Sequence, residues 1–151
     1  MSRDQANRAT VEAYVRAMNA GDIEALRPLF ATDAEIQGVV GAGAFDFAAR
    51  VWHDLHHGLN MRLDVLSMVA YEDTVAVRLR ETGKWTGPFL DFRQPTGRSY
   101  ELLAIEWFEF KAGKIARRWG ARDGGAQARQ LGFPDAASHC PAGKEEALET
   151  A

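Results

Sequence analysis

The chain has little of what marks secreted, membrane-spanning or nucleic-acid-binding proteins. Its 151 residues include one cysteine, Cys140, so no disulfide can form within the chain. No apolar run approaches the roughly 20 residues that a helix needs to cross a bilayer, and the start at Ser2 lacks a signal-peptide pattern. With 21 acidic and 18 basic residues, the net charge of -3 provides no basic field for nucleic acid or an anionic membrane. The sequence therefore predicts a cytoplasmic protein that binds neither.

The composition is typical of one globular domain, followed by a C-terminal segment that has few large apolar residues. Hydrophobic residues make up 46% and charged residues 26%, which are globular values. After Gly132 the chain becomes rich in alanine, glycine and glutamate, with almost no large apolar residue. We expect a folded domain over residues 1–133 and a flexible tail over residues 134–151.

The domain reads as helices first and strands afterwards. Ser2 and Gln5 form a capping-box pattern for a first helix that ends at Gly21, and Asp22 can cap a short second helix. A third helix is expected over residues 44–59 from its apolar spacing. Strands are predicted at residues 34–40, 61–70, 74–85, 99–110 and 115–122. This order predicts an α+β fold in which a curled antiparallel sheet wraps over the helices as a cone with an internal pocket.

Short segments along most of the chain match one family signature in order and spacing. They are residues 19–22 (Asn-Ala-Gly-Asp), 83–87 (Gly-Lys-Trp-Thr-Gly), 95–98 (Pro-Thr-Gly-Arg), 113–115 (Gly-Lys-Ile), Trp119, Asp123 and 130–132 (Gln-Leu-Gly). On these residues the chain resembles the SnoaL-like polyketide cyclases of the nuclear transport factor 2-like superfamily. The resemblance implies an aldol ring closure of a poly-β-ketone without metal or organic cofactor.

The same resemblance marks where this chain departs from the family. An aspartate after the tryptophan usually removes a carbon-bound proton, and a histidine on the neighbouring strand assists; here Gly120 and Glu106 hold those positions. Trp85 stands where a histidine is common, and Gln37 and Gly38 occupy a stretch where steroid-isomerase-like relatives carry an acid. We therefore do not expect a direct copy of the cyclase mechanism.

Glu106 is the candidate acid or base that remains. A two-residue turn after Lys111 would force Ala112 to positive φ, at a cost of about 1 kcal/mol, and a three-residue loop avoids this. That loop pairs Phe110 with Lys114 and so places Glu106 opposite Arg118, beside Gly120 on an apolar sheet face. Two interpretations stay open: Glu106 is catalytic, or it forms a structural ion pair with Arg118.

The other candidate residues have weaker patterns. Asp123 is a second candidate catalytic residue, although it could instead cap the closing turn. The predicted substrate-binding residues are Trp85, Phe89, Tyr100, Leu102, Phe108 and Arg118. Trp107 and Trp119 are expected on the opposite sheet face, where an apolar surface favours a homodimer or higher homo-oligomer. His53 and His57 are spaced for metal binding, but no third ligand is evident and no metal is predicted.

These residues support two classes of function. The first is a cofactor-independent enzyme of secondary metabolism, such as antibiotic biosynthesis, that acts on a hydrophobic polyketide or aromatic substrate. Its most direct reaction is cyclisation by general acid/base catalysis, with hydroxylation, epoxide opening or isomerisation as alternatives. The second is a non-catalytic, dimeric module that binds a small ligand in the same cone.

Overall fold

The computed structural model of the chain describes residues 1–38 and 41–133. In chain order, the elements are α1 (Arg3–Ala20), a 3₁₀ helix (Ile23–Leu29), β1 (Phe30–Gly38), β2 (Gly41–Gly43), α2 (Phe45–Leu59), β3 (Arg62–Tyr71), β4 (Thr74–Lys84), β5 (Ser99–Lys111), β6 (Lys114–Arg122) and α3 (Gly124–Leu131). The predicted tail, Cys140 and the last two residues of the first predicted strand lie outside the described residues. None of the helices in the described part is long and apolar enough to cross a membrane.

The strands form one curled sheet in the order β2-β1-β6-β5-β4-β3. Strands β3 to β6 are antiparallel neighbours, as predicted. Strand β1 runs parallel to β6, with Ile36 opposite Arg118, and this pairing was not predicted. The α+β prediction is confirmed. Because the helices cover one face of the sheet, a pocket can remain between α2 and the inner faces of β1 and β4–β6.

Side-chain caps fix the first helix and tie it to the sheet. Ser2 and Gln5 exchange the capping-box hydrogen bonds, and Gly21 ends α1 with φ 70°. The Asn19 side chain donates to the Leu63 carbonyl at 2.8 Å and accepts from the Leu63 amide at 2.7 Å. Asn19 therefore satisfies backbone groups at the open edge of β3, which explains an asparagine before the helix-ending glycine.

The closing helix α3 was not predicted, because its Gly-Gly start has low helix propensity. Asp123 caps it by accepting from the Ala126 amide at 3.0 Å. The side-chain amide of Gln130 donates to the backbone carbonyl of Glu101 and accepts from the backbone N–H of Glu101, each at 2.8 Å. Leu131 is fully buried in the core. Tertiary contacts thus hold a helix that the local sequence does not favour.

The turn between β5 and β6 corrects the predicted register. Ala112 does adopt positive φ, 51°, with Gly113 at 77°, and Lys111 pairs with Lys114. A bulge between Glu109 and Phe110 then places Glu106 opposite Gly120 rather than opposite Arg118. The predicted pairing is wrong by two residues at Glu106. Because side chains alternate with a period of two along a strand, Glu106 and Arg118 keep their predicted face beyond the bulge, whereas between the turn and the bulge Ile115, not Lys114, lies opposite Phe110 and is buried.

Candidate active site

A cavity lies between α2 and the inner face of the sheet, with an apolar roof and a charged floor. The apolar lining consists of Met18, Ile36, Phe47, Ala48, Val51, Trp52, Leu55, Met61 and Leu63. The floor carries Glu81, Glu106, Arg118 and Arg122, with backbone exposed at Gly38, Gly41 and Gly120. The cavity volume is about 30 Å³, which is room for about two water molecules.

Glu106 is held by one carboxylate oxygen and leaves the other free. Arg118 Nη2 and the Tyr14 hydroxyl donate to Glu106 Oε1, the latter at 3.1 Å. Glu106 Oε2 is buried and has no hydrogen-bond partner among the described residues. A buried, unpartnered carboxylate oxygen is costly unless a ligand or water satisfies it. The arrangement therefore presents a fixed acceptor to whatever occupies the cavity.

Arg118 completes this cluster with a second unsatisfied group. Its Nη1 donates to the Gln37 carbonyl at 3.0 Å, and its Nη2 also donates to the Tyr14 hydroxyl at 3.3 Å. Its Nε is buried and has no partner in the described structure. An unpartnered acceptor on Glu106 and an unpartnered donor on Arg118 thus lie within one ion pair.

Charge and burial fix the protonation of the groups around Glu106. Burial raises the pKa of the Tyr14 hydroxyl, so Tyr14 stays neutral and can donate. Burial has the largest single effect on the pKa of Arg118 and lowers it, but Glu106 and Tyr14 together outweigh burial and the net direction is upward. Arg118 therefore stays cationic and provides a fixed positive charge against the cavity.

The Arg118 guanidinium also explains the glycines at two positions where an acid was expected. A Cβ added at Gly120 would lie 2.8 Å from Arg118 Cζ, Nη1 and Nη2, and one at Gly38 would lie 3.1 Å from Nη1. The same guanidinium carbon lies 5.8 Å from the centre of the Trp52 ring. The space that a side chain at residue 120 would need is therefore filled by a cation from residue 118.

A second buried ion pair, Glu81–Arg122, lies on the same floor. Arg122 Nε donates to Glu81 Oε1 at 2.8 Å, Arg122 Nη2 donates to Oε2, and the Tyr100 hydroxyl donates to Oε2 at 2.5 Å. Burial raises the pKa of Tyr100, and the Glu81 carboxylate raises that of Arg122 against the opposing effect of burial. Both oxygens of Glu81 are thus satisfied by the protein itself.

Sequence reasoning missed Glu81, Arg122 and Tyr14. Glu81 continues the inward alternation of Val77 and Leu79 on β4, and Arg122 lies four residues beyond Arg118 on β6. Charged residues at inward positions of two strands were the available signal. Tyr14 was assigned only to the apolar face of the first helix, where its hydroxyl gave no separate signal.

The structure brings together only part of the predicted site. The predicted contact between Glu106 and Arg118 is present, and both line the cavity. The other predicted substrate-binding residues are buried in the core and are not among the described residues that line the cavity; these are Trp85, Phe89, Tyr100, Leu102 and Phe108. They support the cone from within the core instead of presenting their side chains to the cavity.

The aromatic side chains among these residues have structural partners of their own. Trp85 Nε1 donates to the Gly87 carbonyl at 2.8 Å, and its ring packs edge-on against Phe133 with centroids 4.7 Å apart. The ring of Phe108 packs edge-on against that of Tyr14, with centroids 5.1 Å apart. Packing of this kind accounts for their burial without a ligand.

The remaining candidates lie outside the cavity. Asp123 is exposed and serves as the N-cap of α3. The rings of His53 and His57 on α2 are tilted by 38° to one another, with centroids 4.0 Å apart. No group of three His, Cys, Asp or Glu side chains in the described residues is placed to hold a metal ion.

Comparisons with known proteins identify a family to which the chain is similar. Residues 8–131 match the family model of the SnoaL-like polyketide cyclases. AclR from Streptomyces galilaeus, a candidate hydroxylase, is 23% identical with a TM-score of 0.78 over 97% of this chain and 92% of its own. IdmH from Streptomyces antibioticus, a candidate polyketide cyclase, is 26% identical with a TM-score of 0.72 over 84% of this chain and 99% of its own.

A third solved structure and the search of curated proteins complete these comparisons. A candidate SnoaL-like polyketide cyclase from Jannaschia sp. CCS1 is 20% identical, with a TM-score of 0.79 over 89% of this chain and 98% of its own. No protein of curated function matches the chain in sequence. Because the family match covers most of the chain, the chain belongs to the SnoaL-like polyketide cyclase family.

Proposed function

We propose that the chain is a cofactor-independent enzyme that cyclises a hydrophobic polyketide or aromatic substrate, with Glu106 as the acid/base group. One observation carries the proposal. Glu106 lines a mostly apolar cavity, and its Oε2 is buried with no hydrogen-bond partner in the described structure, while Oε1 is fixed by Arg118 and Tyr14. A positioned carboxylate excluded from water is what proton abstraction from carbon requires.

The cyclisation that these groups can perform is a balanced proton transfer and carbon–carbon bond formation. Glu106 takes a proton from a carbon between two carbonyls, and the resulting enolate oxygen accepts a hydrogen bond from Arg118 Nε. The enolate carbon then attacks a second carbonyl of the same substrate, and the new alkoxide recovers the proton from Glu106. Isomerisation begins with the same proton transfer, and no external oxidant or reductant is consumed.

Arg118 places a positive charge where the family signature implies a negative one. At residue 120 the resemblance implies a carboxylate base, but the space there is filled by a guanidinium. We infer that the base has moved to Glu106 on the adjacent strand and that the cation stabilises the developing negative charge. A preorganised donor in a water-excluded site contributes most to catalysis when charge develops beside it.

A chemical probe can test the acid/base role without the natural substrate. 5-Nitrobenzisoxazole is a planar aromatic compound that loses a carbon-bound proton to a base; its N–O bond breaks and a coloured cyanophenolate forms. We expect the protein to accelerate this elimination and Glu106→Gln to reduce kcat by about 100-fold or more. If Glu106→Gln matches the parent, Glu106 is not the base.

The alternative function is a binding module that kept the cone without catalysis. The closed cavity and the engaged Glu106–Arg118 pair favour this second candidate. It predicts that an aromatic ligand such as 1-naphthol raises Tm by mass action while the probe is not turned over. Since AclR is a candidate hydroxylase of the same fold, hydroxylation is an alternative reaction for the same cavity.

We also propose that a second copy of the chain covers the outer face of the sheet, and that the dimer works in the cytoplasm as part of antibiotic or other secondary metabolism. Leu103, Ile105 and Trp107 lie on that face and are each close to half exposed. Trp107 pairs across the sheet with Trp119, which widens the apolar surface. Sedimentation should show a dimer for the parent and a monomer for Trp107→Glu; a monomeric parent would contradict this.

A further inference from the structure

One apolar side chain of the cavity lining is much more exposed than the other apolar side chains that line it. Phe47 lines the cavity and is 40% exposed, whereas Trp52 and Leu55 on the same helix are each only 3% exposed. The side chain therefore contacts both the cavity and solvent. A large apolar residue in that position needs a reason, because its burial is incomplete.

The cavity as the structure describes it is too small to take an aromatic ligand. Its volume of about 30 Å³ corresponds to about two water molecules, which is less than one aromatic ring occupies. Binding of any ring system must therefore move part of the wall. The identity of the part that moves decides which ligands can enter.

Most of the wall is held too firmly to be that part. The floor is fixed by the strand ladder and by the two buried Glu–Arg pairs. Trp52 packs against the rings of Tyr14, Phe30 and Phe45, with centroids 5.8–6.0 Å apart. Moving any of these groups would disturb the core or break a buried ion pair.

Phe47, in contrast, rests on a weakly anchored support. Its Cδ1 lies 2.7 Å from where a Cβ on Gly43 would be, so the ring covers the backbone of β2. β2 has three residues and lies at the edge of the sheet, where it pairs only with β1. The N-cap of α2, Ala44, makes no side-chain hydrogen bond to the helix. Displacing Phe47 therefore disturbs few contacts.

We propose that Phe47 determines the width of the ring system that the cavity admits, and thereby selects among aromatic ligands. The inference rests on the proposed function, because it assumes an aromatic or polyketide ligand in this cavity. Met18 and Met61 also line the cavity, and their flexible side chains can adapt to a ligand once Phe47 has moved. The selective step is then displacement of the Phe47 ring.

Binding of two probes of different width tests this role. Dissociation constants for 1-naphthol, with two fused rings, and 1-hydroxyanthraquinone, with three, are measured by calorimetry for the parent, Phe47→Ala, Phe47→Trp and Leu66→Ala. Leu66 is a matched control, because it is 44% exposed and is not among the described residues that line the cavity. Circular dichroism checks that each variant is folded.

We expect Phe47→Ala to bind 1-hydroxyanthraquinone about tenfold more tightly than the parent, with the 1-naphthol affinity changed less than about threefold. Phe47→Trp should weaken both, and Leu66→Ala should change neither. Equal preference for the two probes in the parent and Phe47→Ala, or no binding by either protein, would overturn the proposal. Glu106→Gln separates this proposal from the proposed acid/base role of Glu106. Loss of the base should abolish elimination of 5-nitrobenzisoxazole, but it should not change the relative affinity for 1-naphthol and 1-hydroxyanthraquinone.

Discussion

Two glutamate–arginine pairs lie on the same cavity floor and differ in how completely each glutamate is satisfied. Both oxygens of Glu81 accept hydrogen bonds, from Arg122 and Tyr100. Glu106 has the same partner types, Arg118 and Tyr14, but both bonds go to Oε1 and Oε2 remains free. Burial and an ion pair are common to both glutamates and do not distinguish them. We propose that the unsatisfied oxygen marks Glu106, and not Glu81, as the acid or base.

The largest expected effect is on stability, at the saturated pair. Arg122→Met should reduce the free energy of unfolding by about 3–5 kcal/mol, because Glu81 would remain buried without its counter-charge. Chemical denaturation measures the loss. The double variant Glu81→Leu/Arg122→Met should recover most of it, and a single variant as stable as the parent would contradict the pairing.

Arg118→Met should destabilise less, by about 3 kcal/mol, at the low end of the range for buried pairs. Tyr14 would still donate to Glu106 Oε1, and Oε2 already lacks a partner in the described structure. Thermal unfolding should show a smaller decrease in Tm than for Arg122→Met. Unfolding of Glu106→Leu/Arg118→Met is the control, and an unchanged Tm for Arg118→Met would remove the ion pair from the account.

Gly120→Ala tests whether the guanidinium needs the empty position. The added Cβ would lie 2.8 Å from Arg118, so the side chain must shift, and we expect a loss of about 1–3 kcal/mol. Gly38→Ala is the matched control, since its Cβ would lie 3.1 Å from one nitrogen only. Unfolding curves should show that Gly120→Ala is less stable than Gly38→Ala. The reverse order of stability would be inconsistent with the described position of Arg118.

The smallest expected effect is a loss of stability at alkaline pH, caused by the buried tyrosine beside each Glu–Arg pair. Tyr14 and Tyr100 have raised pKa values in the folded protein, so both must ionise on unfolding above about pH 10. Their contribution to stability is complete below that pH and is lost as pH rises, by about 1.4 kcal/mol per pH unit for each tyrosine. Denaturation between pH 9 and 11 should show a shallower decline for Tyr14→Phe and for Tyr100→Phe. An unchanged slope would contradict burial of these hydroxyls.

The sequence predicted the fold better than the site because different physical signals determine them. Helix caps at Ser2 and Asp22 and the alternation along the strands are local, so the predicted helices and strands occur in the expected order, although the short strand β2 and the helix α3 were not predicted. The parallel pairing of β1 with β6 is set by contacts between distant segments. The turn at Ala112 was mispredicted because the fold accepts a local φ cost of about 1 kcal/mol.

Of the predicted site residues, the structure places Glu106 and Arg118 together at the cavity, and their roles stay predictions. Glu106 and Arg118 meet because an error of two residues does not change the face of a strand. Trp85 was assigned to the pocket from its family position, and Phe89 was predicted beside it, but both pack in a separate ring cluster with Phe133. Strand patterns show which face a side chain takes, but not how far along the cone the cavity extends.

The most direct test compares Glu106→Gln with Glu81→Gln in elimination of 5-nitrobenzisoxazole, at a temperature where unfolding curves show both variants to be folded. The substitutions are chemically identical and lie on neighbouring strands of one floor. The account predicts that Glu106→Gln lowers kcat by about 100-fold or more, while Glu81→Gln retains turnover within about threefold and loses more stability. Equal loss of turnover in both variants, or none in Glu106→Gln, would contradict it.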